Sequence, residues 1–239
     1  MNNLNSKAQL IQQLKQQKLS VGILSANWLA LSDALATLER HQIKVLHFDV
    51  ADGQFCPMFT VGAGAVKSFP TSFFKDVHLM VKDQRNVAKS AVANGANLVT
   101  LQVEQTDVND TLDWLAEQAN PFQDSLYPVL AGLSICPNTQ IEQLYPYVNK
   151  VDVFQFLTLD PRTGEKFPPE WIKQRIDQLC RVLHLQKKDK LINVDGSMTL
   201  ALAQDFSTQS DIDWIVSGSA LFAKDLTLHL NEWKQGGIY

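Results

Sequence analysis

The stretch KVLHFDVADG (residues 44–53) decides how this chain folds. Residues 45–50 are apolar except His47 and Asp49, and the turn pair Asp52-Gly53 follows them. Side chains alternate along a β-strand, so His47 and Asp49 lie on the same face. A short, mostly apolar segment with polar side chains near its end is typical of a buried strand in a parallel sheet.

Segments of this kind recur along the chain and alternate with helix-like segments. Strands parted by helices imply parallel pairing through right-handed crossovers. Eight such units predict a closed (βα)8 barrel, and an open doubly wound sheet is the alternative. The predicted strands are 19–24, 44–50, 74–81, 96–103, 127–135, 150–159, 190–196 and 211–218, and the predicted helices lie at 29–41, near 62–69, at 84–95, at 108–119, in the segment after 136, at 170–186, near 199–206 and near 224–235.

The first 18 residues precede the first βα unit. Leu4, Leu10, Ile11 and Leu14 fall roughly on one helical face, which predicts a short amphipathic helix that covers the bottom of the barrel. No linker divides the chain. We therefore expect a single (βα)8 barrel domain over residues 1–239, with residues 1–18 as an N-terminal helical extension.

Composition excludes several function classes. The 239 residues carry a net charge of −4, which argues against a nucleic-acid partner because such a partner needs a basic face. There is no run of about 18 apolar residues, so we expect no membrane span. Residues 1–20 are polar and have no apolar core of the kind a signal peptide contains, so we expect none there. Three cysteines without C-x-x-C spacing favour the reducing cytoplasm.

Four potential metal ligands follow or end three predicted strands: His47 and Asp49, His78 in DVHLMV, and Asp195 in LINVDG. Function in a (βα)8 barrel lies at the C-terminal ends of its strands, where these residues fall. A single histidine on an apolar strand is often a core residue. Four such residues at equivalent positions instead favour a divalent transition-metal site.

Seven segments together resemble the ribulose-phosphate 3-epimerase family, in family order. The combination of H-x-D-x-x-D-G with DVHLM is their most specific part. The segments are ILSANW (23–28), LHFDVADGQFCP (46–57), DVHLMV (76–81), CPNT (136–139), LTLDP (157–161), VDGS (194–197) and SGSALF (217–222). The resemblance implies a cytoplasmic isomerase of the pentose phosphate pathway that interconverts ribulose 5-phosphate and xylulose 5-phosphate. It also implies one divalent metal ion and a homo-oligomer.

The resemblance assigns roles to individual residues. It implies that His47, Asp49, His78 and Asp195 bind the metal, which would be zinc, iron, manganese or cobalt. Asp49 and Asp195 would be the catalytic acid/base pair: one removes the proton at C3 of the ketose and the other returns a proton to the opposite face. The metal would stabilise the enediolate between these steps. Ser25 would hydrogen-bond near the metal.

Substrate contacts are the part in which the chain departs from the family. Met80 would pack against the intermediate, and Gly196, Ser197, Gly218 and Ser219 would contact the phosphate. The family's glycine-rich NPGFGGQ stretch is replaced by Asp160–Glu165, whose Arg162 either replaces the lost amides as a phosphate or carboxylate contact or is a solvated loop residue.

Other family positions also differ. Ala51 and Leu157 lie near positions where the family has methionines, Met58 replaces an asparagine, and Gln102 replaces a histidine beside the retained Glu104. The metal and acid/base residues are all present, while the residues around the substrate have changed. This pattern predicts an epimerase whose preferred sugar need not be ribulose 5-phosphate.

We therefore carry three hypotheses. The leading one is a metal-dependent 3-epimerase of ribulose 5-phosphate. An epimerase of another ketose phosphate, such as a ketohexose 6-phosphate, is the second. A non-catalytic sugar-phosphate-binding protein on the same scaffold is the third. Decarboxylation or aldol cleavage by a D-x-K-x-x-D array is disfavoured, because residues 47–52 contain no lysine.

Overall fold

Eight parallel strands close into a barrel in the computed structural model, which describes residues 5–239. The order around the barrel is β1-β2-β3-β4-β7-β8-β9-β10, and β10 pairs back with β1. The predicted (βα)8 barrel is thereby confirmed. The barrel strands are β1 (Leu19–Gly22), β2 (Val45–Ala51), β3 (Phe74–Met80), β4 (Leu98–Gln102), β7 (Leu130–Ile135), β8 (Val153–Leu157), β9 (Leu191–Asp195) and β10 (Trp214–Ser217).

Helices lie around the barrel and at its N-terminal end, and those between barrel strands connect them. They are α1 (Lys7–Leu14), α2 (Leu31–Arg40), α3 (Gln84–Ala93), α4 (Val108–Leu115), α5 (Pro169–Leu183), α6 (Leu200–Ser207), α7 (Ser219–Phe222) and α8 (Leu226–Gln235). Within residues 5–239, no helix combines the length and the apolar character that crossing a bilayer requires.

Two of the predicted connecting helices are 3-10 helices rather than α-helices, at Ala63–Ser68 and Ile141–Tyr147. The second contains Pro146, which has no N–H to donate and so cannot extend a regular α-helix. Three-residue 3-10 turns follow β1, at Ile23–Ser25 and Trp28–Ala30, and a six-residue 3-10 helix follows α5, at His184–Asp189.

Helix α1 seals the N-terminal end of the barrel. Ser6 begins it with a capping box, in which the Ser6 hydroxyl accepts from the Gln9 backbone N–H and the Gln9 side chain accepts from the Ser6 N–H. Leu4, predicted on the same apolar face, lies outside the described residues. The buried cluster beneath the barrel contains Leu10, Ile11 and Leu14 from α1 and Val45, Phe74, Leu98, Leu130, Val153, Leu191 and Trp214 from the strands.

An antiparallel hairpin lies between α4 and β7, where a longer helix and a longer strand were predicted. Its strands are β5 (Ala119–Phe122) and β6 (Ser125–Pro128). The helix predicted over 108–119 therefore ends at Leu115, and residues 127 and 128 of the predicted strand 127–135 belong to the hairpin. Phe122 adds its fully buried ring to the cluster under the barrel, which favours the hairpin over further helix.

Truncation of Leu10 tests whether α1 stabilises the barrel. Leu10 is fully buried in the cluster beneath the strands, so Leu10→Ala should lower the free energy of unfolding by about 2–5 kcal/mol. Gln12→Ala, at an exposed position of the same helix, should change it by less than about 0.5 kcal/mol. Urea unfolding followed by circular dichroism measures both. Equal stability of the two variants would contradict a sealing role for α1.

Candidate metal and catalytic site

Four side chains converge at the C-terminal end of the barrel. His47 and Asp49 extend from β2, His78 from β3 and Asp195 from the last position of β9. One nitrogen or oxygen atom of each lies within 4.8 Å of those of the other three. The strands that carry them are separated in sequence, and barrel closure brings them together.

Asp49 lies between the two imidazoles. Its Oδ1 is 3.2 Å from His47 Nε2 and 3.1 Å from His78 Nδ1. Asp195 Oδ2 approaches the same two nitrogens, at 3.6 Å and 3.9 Å. Both imidazoles are fully buried, whereas the two carboxylates are partly exposed to the cavity above them. The nitrogen and oxygen atoms thus face a common point that is open to a ligand.

Asp76 holds His47 from the opposite side and was not recognised from the sequence. This fully buried carboxylate lies 2.7 Å from His47 Nδ1, and the Ser20 hydroxyl donates to the same oxygen at 3.3 Å. His47 Nδ1–H donates to Asp76, which directs Nε2 toward Asp49 and Asp195. Its position two residues before His78 on β3, and so on the same strand face, was the available signal.

Two glutamines support the other members of the cluster. Gln155, on β8, donates from Nε2 to Asp195 Oδ2 at 3.0 Å. Gln102, on β4, contacts His78 Nε2, the outer ring nitrogen that faces away from Asp49. Both side chains are fully buried. Gln155 was not predicted as a site residue, because a single polar residue within an apolar strand gives no indication of what it contacts.

The electrostatics of the cluster favour a bound positive charge. Burial favours a neutral His47, but the Asp76 and Asp49 carboxylates hold the His47 pKa well above its ordinary value. Burial likewise opposes ionisation of Asp49, but His47 and His78 hold the Asp49 pKa below its ordinary value. Burial and the adjacent Asp49 charge raise the Asp195 pKa. Carboxylates in such a site are stabilised by a proton or by a metal ion.

The donor set fits a divalent transition metal. Two imidazole nitrogens and two carboxylate oxygens are ligands that zinc, iron, manganese and cobalt accept. Each histidine also has a buried polar partner on its other nitrogen, as metal-binding histidines generally do. The residues present therefore fit a divalent metal ion of this group.

A cavity of about 230 Å³ opens directly above the cluster. It is large enough to take a small sugar-sized molecule against the two carboxylates. Six of the seven predicted substrate-binding residues line it, namely Ser25, Met80, Gly196, Ser197, Gly218 and Ser219. The rest of its apolar wall includes Leu24, Met58, Leu159, Pro161 and Met198, and of these only Met58 was noted in the sequence, as a change from the family.

Arg162, the seventh predicted residue, is not among the residues that line the cavity. Its Nε and one terminal nitrogen lie 2.8 Å and 2.7 Å from the two oxygens of Asp160, whose side chain is almost completely buried. Asn138 accepts a further hydrogen bond from the guanidinium at 3.0 Å. Arg162 thus pairs with Asp160 and Asn138 in this structure, and its role as a substrate contact stays a prediction.

The chain matches the Ribulose-phosphate 3 epimerase family over residues 18–222. It is 41% identical over 223 residues to "Putative epimerase LsrE" of Salmonella typhi, covering 92% of this chain and 87% of that protein. It is 27% identical over 215 residues to the ribulose-phosphate 3-epimerase of Schizosaccharomyces pombe, covering 87% of each.

Among solved structures, that of KGPDC from Streptococcus mutans is similar in fold, with a TM-score of 0.57 at 10% identity over 92% of this chain and 96% of that one. At that identity the likeness concerns the barrel alone. The family match covers the strands that carry His47, Asp49, His78 and Asp195. The chain is an epimerase and belongs to the ribulose-phosphate 3-epimerase family.

Proposed function

We propose that this protein is a metal-dependent epimerase that inverts C3 of a ketose phosphate, converting ribulose 5-phosphate to xylulose 5-phosphate. The single observation that carries the proposal is the pair of carboxylates, Asp49 and Asp195, which share one cavity with two buried histidines. An epimerase must remove a proton from one face of a carbon and add one to the other face. Two carboxylates on one cavity can divide these tasks.

Asp49 and Asp195 are the proposed acid/base pair. One carboxylate removes the C3 proton, and the other delivers a proton to the opposite face of the planar enediolate. Gln155 donates to Asp195 Oδ2 at 3.0 Å and so fixes the orientation of that carboxyl group. A divalent metal held by His47, Asp49, His78 and Asp195 would supply the positive charge that stabilises the enediolate oxygens.

The loops after β9 and β10 are the proposed phosphate contacts. Gly196, Ser197, Gly218 and Ser219 line the cavity, and their backbone amides can donate to an anion. The loop after β8 is less suited to this task, because it folds on itself. The Asp160 carbonyl accepts the Thr163 and Gly164 amides at 3.2 Å and 2.7 Å, so these donors are already used.

This altered loop favours one further candidate, an epimerase of another ketose phosphate such as a ketohexose 6-phosphate. With fewer amides after β8, the phosphate position depends more on the other two loops, and the preferred chain length can differ. The homo-oligomeric state and the cytoplasmic location remain predictions from family likeness. A non-catalytic sugar-phosphate-binding role is the outcome that would remain if no ketose phosphate were turned over.

Turnover of D-ribulose 5-phosphate is the primary test. Metal-loaded protein should form xylulose 5-phosphate in a coupled assay, and in D₂O the product should carry deuterium at C3, because the returned proton comes from a carboxyl group that exchanges with solvent. EDTA-treated protein should be inactive. Turnover of a ketohexose 6-phosphate alone would select the second candidate, and failure of both substrates with metal bound would favour a binding role.

Substitution of Asp195 tests the two-carboxylate mechanism. Asp195→Asn removes one acid/base group and should lower kcat by about 10²–10⁴-fold. Asp189→Asn makes the same change at an exposed position just before β9 and should leave kcat unchanged. Circular dichroism should show both variants folded. Full activity of Asp195→Asn would rule out the proposed role.

Gly218 tests the phosphate contacts. A Cβ atom at Gly218 would lie 2.8 Å from Ser25 Oγ and 2.9 Å from the Gly22 carbonyl oxygen, so Gly218→Ala must displace the cavity wall. We expect KM for the ketose phosphate to rise at least about tenfold, equivalent to about 1.4 kcal/mol. Gly64→Ala, where no atom lies within 4 Å of the added Cβ, is the matched control. An unchanged KM in both would exclude this wall from phosphate binding.

Arg162→Ala separates a structural role from a substrate contact. Hydrogen bonds from Arg162 hold the Asp160 pKa below its ordinary value, so the pair stabilises the fold above pH 4 and loses this effect as Asp160 is protonated. The variant should lose only about 1 kcal/mol at pH 7, since more than a third of the Arg162 side chain is exposed to solvent screening.

The stability difference for Arg162→Ala should shrink toward pH 3, and KM should stay unchanged. Lys166→Ala removes the same charge from the same loop and should leave stability unchanged, because Lys166 is exposed. Urea unfolding at both pH values and steady-state kinetics measure these effects. A large rise in KM for Arg162→Ala alone would instead make Arg162 a phosphate contact.

A further inference from the structure

Gln102 ends strand β4 directly beside His78. The side chain is fully buried, and its Nε2 lies 3.0 Å from His78 Nε2, the ring nitrogen that faces away from Asp49. The opposite nitrogen, His78 Nδ1, lies 3.1 Å from Asp49 Oδ1. Gln102 is therefore the polar group that determines what the outer nitrogen of this histidine can do.

The orientation of the Gln102 amide decides which nitrogen of His78 bears the proton. When the amide nitrogen faces the ring, it donates to His78 Nε2, and the ring proton lies on Nδ1. When the amide oxygen faces the ring, it accepts from His78 Nε2–H, and the Nδ1 lone pair points toward Asp49 and Asp195. Only the second arrangement lets His78 act as a ligand through Nδ1.

Rotation of the amide between these arrangements breaks no other hydrogen bond. Gln102 Oε1 has no hydrogen-bond partner among the described residues, although it is buried, and Nε2 contacts only His78. A half-turn about the last side-chain bond exchanges the two atoms and gives the oxygen a donor. The half-turn then leaves the amide nitrogen without an acceptor, so each arrangement satisfies one of the two atoms, and the lone pair that a metal requires on His78 Nδ1 favours the second.

Gln84 fixes the backbone from which this amide extends. The Gln84 side chain, on the first turn of α3, accepts from the Gln102 N–H at 2.6 Å and donates to the Gln102 carbonyl at 3.2 Å. Both backbone groups of Gln102 are thus held where the strand pairing of β4 with β3 has ended. Gln102 is placed on a rigid support, as a residue that orients another side chain requires.

We propose that Gln102 is a positioning residue for His78: its amide oxygen accepts from Nε2–H and so presents Nδ1 to the metal. This inference rests on the proposed function, because it concerns the metal that the epimerase would use. Asp76 acts in the same way on His47, but through a carboxylate. Partners of this kind typically change metal affinity by about 10- to 100-fold.

Metal affinity of matched variants tests the proposal. Gln102→Met keeps the length of the side chain but cannot accept from His78, so its affinity for Zn²⁺ in a competition titration should fall about 10- to 100-fold. Gln102→Glu keeps an oxygen that can accept from His78, so its Zn²⁺ affinity should stay close to that of the wild type. Thr100→Val is the control, since Thr100 is fully buried two residues earlier on the same face of β4 and its hydroxyl has no partner among the described residues.

The titration outcomes separate this inference from the proposed function. Equal affinity of wild type and Gln102→Met would overturn the role of Gln102 and leave the epimerase proposal intact. If the wild-type protein bound no divalent metal, both would be overturned. Weaker Zn²⁺ affinity in Gln102→Met, together with wild-type affinity in Gln102→Glu, would support the inference. At saturating Zn²⁺, kcat of Gln102→Met should then equal that of the wild type, and a kcat that stayed low would overturn the inference.

A spectroscopic measurement needs no variant to fold. In ¹⁵N-labelled, zinc-loaded wild-type protein, long-range ¹H–¹⁵N spectra of the imidazoles should show His78 protonated at Nε2 and bound through Nδ1. The Gln102 side-chain amide protons should then show no hydrogen-bond coupling to a ring nitrogen of His78. Binding through Nε2, or an unprotonated Nε2, would overturn the proposal.

Discussion

The attraction between a group of carboxylates and two buried imidazoles at one end of the barrel is the constraint on which the structure depends. Asp49, Asp76 and Asp195 surround His47, and an isolated buried carboxylate would be too costly to keep ionised. The histidines reduce that cost but cannot remove it, because there are three acids and two imidazoles. The excess of negative charge favours a bound cation, and in the proposed function proton transfer and metal binding therefore use the same residues.

The barrel separates stability from chemistry along its axis. Helix α1 and the β5–β6 hairpin close the bottom with apolar side chains, and Phe122 packs edge-on against Phe74 there. The upper half of the barrel can then contain polar side chains such as Gln102 and Gln155, whose functional groups point to the cluster. A sealed base keeps solvent away from this polar interior, so the donors around the four cluster residues hold fixed positions.

Features encoded by local pattern could be predicted from the sequence, and features that depend on distant partners could not. Strand β2 was recognisable because His47 and Asp49 interrupt an apolar run with a period of two. The hairpin was missed because its turn is Gln123-Asp124, with a positive φ at Gln123, rather than an Asn-Gly or Asp-Gly pair. The Arg162 contact with Asp160 was missed because sequence spacing cannot show that a neighbouring acid will be buried.

The Asp160–Arg162 pair also bears on how the enzyme distinguishes substrates. It fixes the loop after β8 in a closed turn, so Pro161 lines the cavity with a ring that has no N–H to donate. Met58, Met80 and Met198 line the same cavity, and unbranched thioether side chains adapt to ligands of different shape. Polar selection is thereby concentrated at two points, the ligand cluster and the loops after β9 and β10. In the proposed function, the distance between them, rather than the wall, would limit the length of the sugar phosphate that fits.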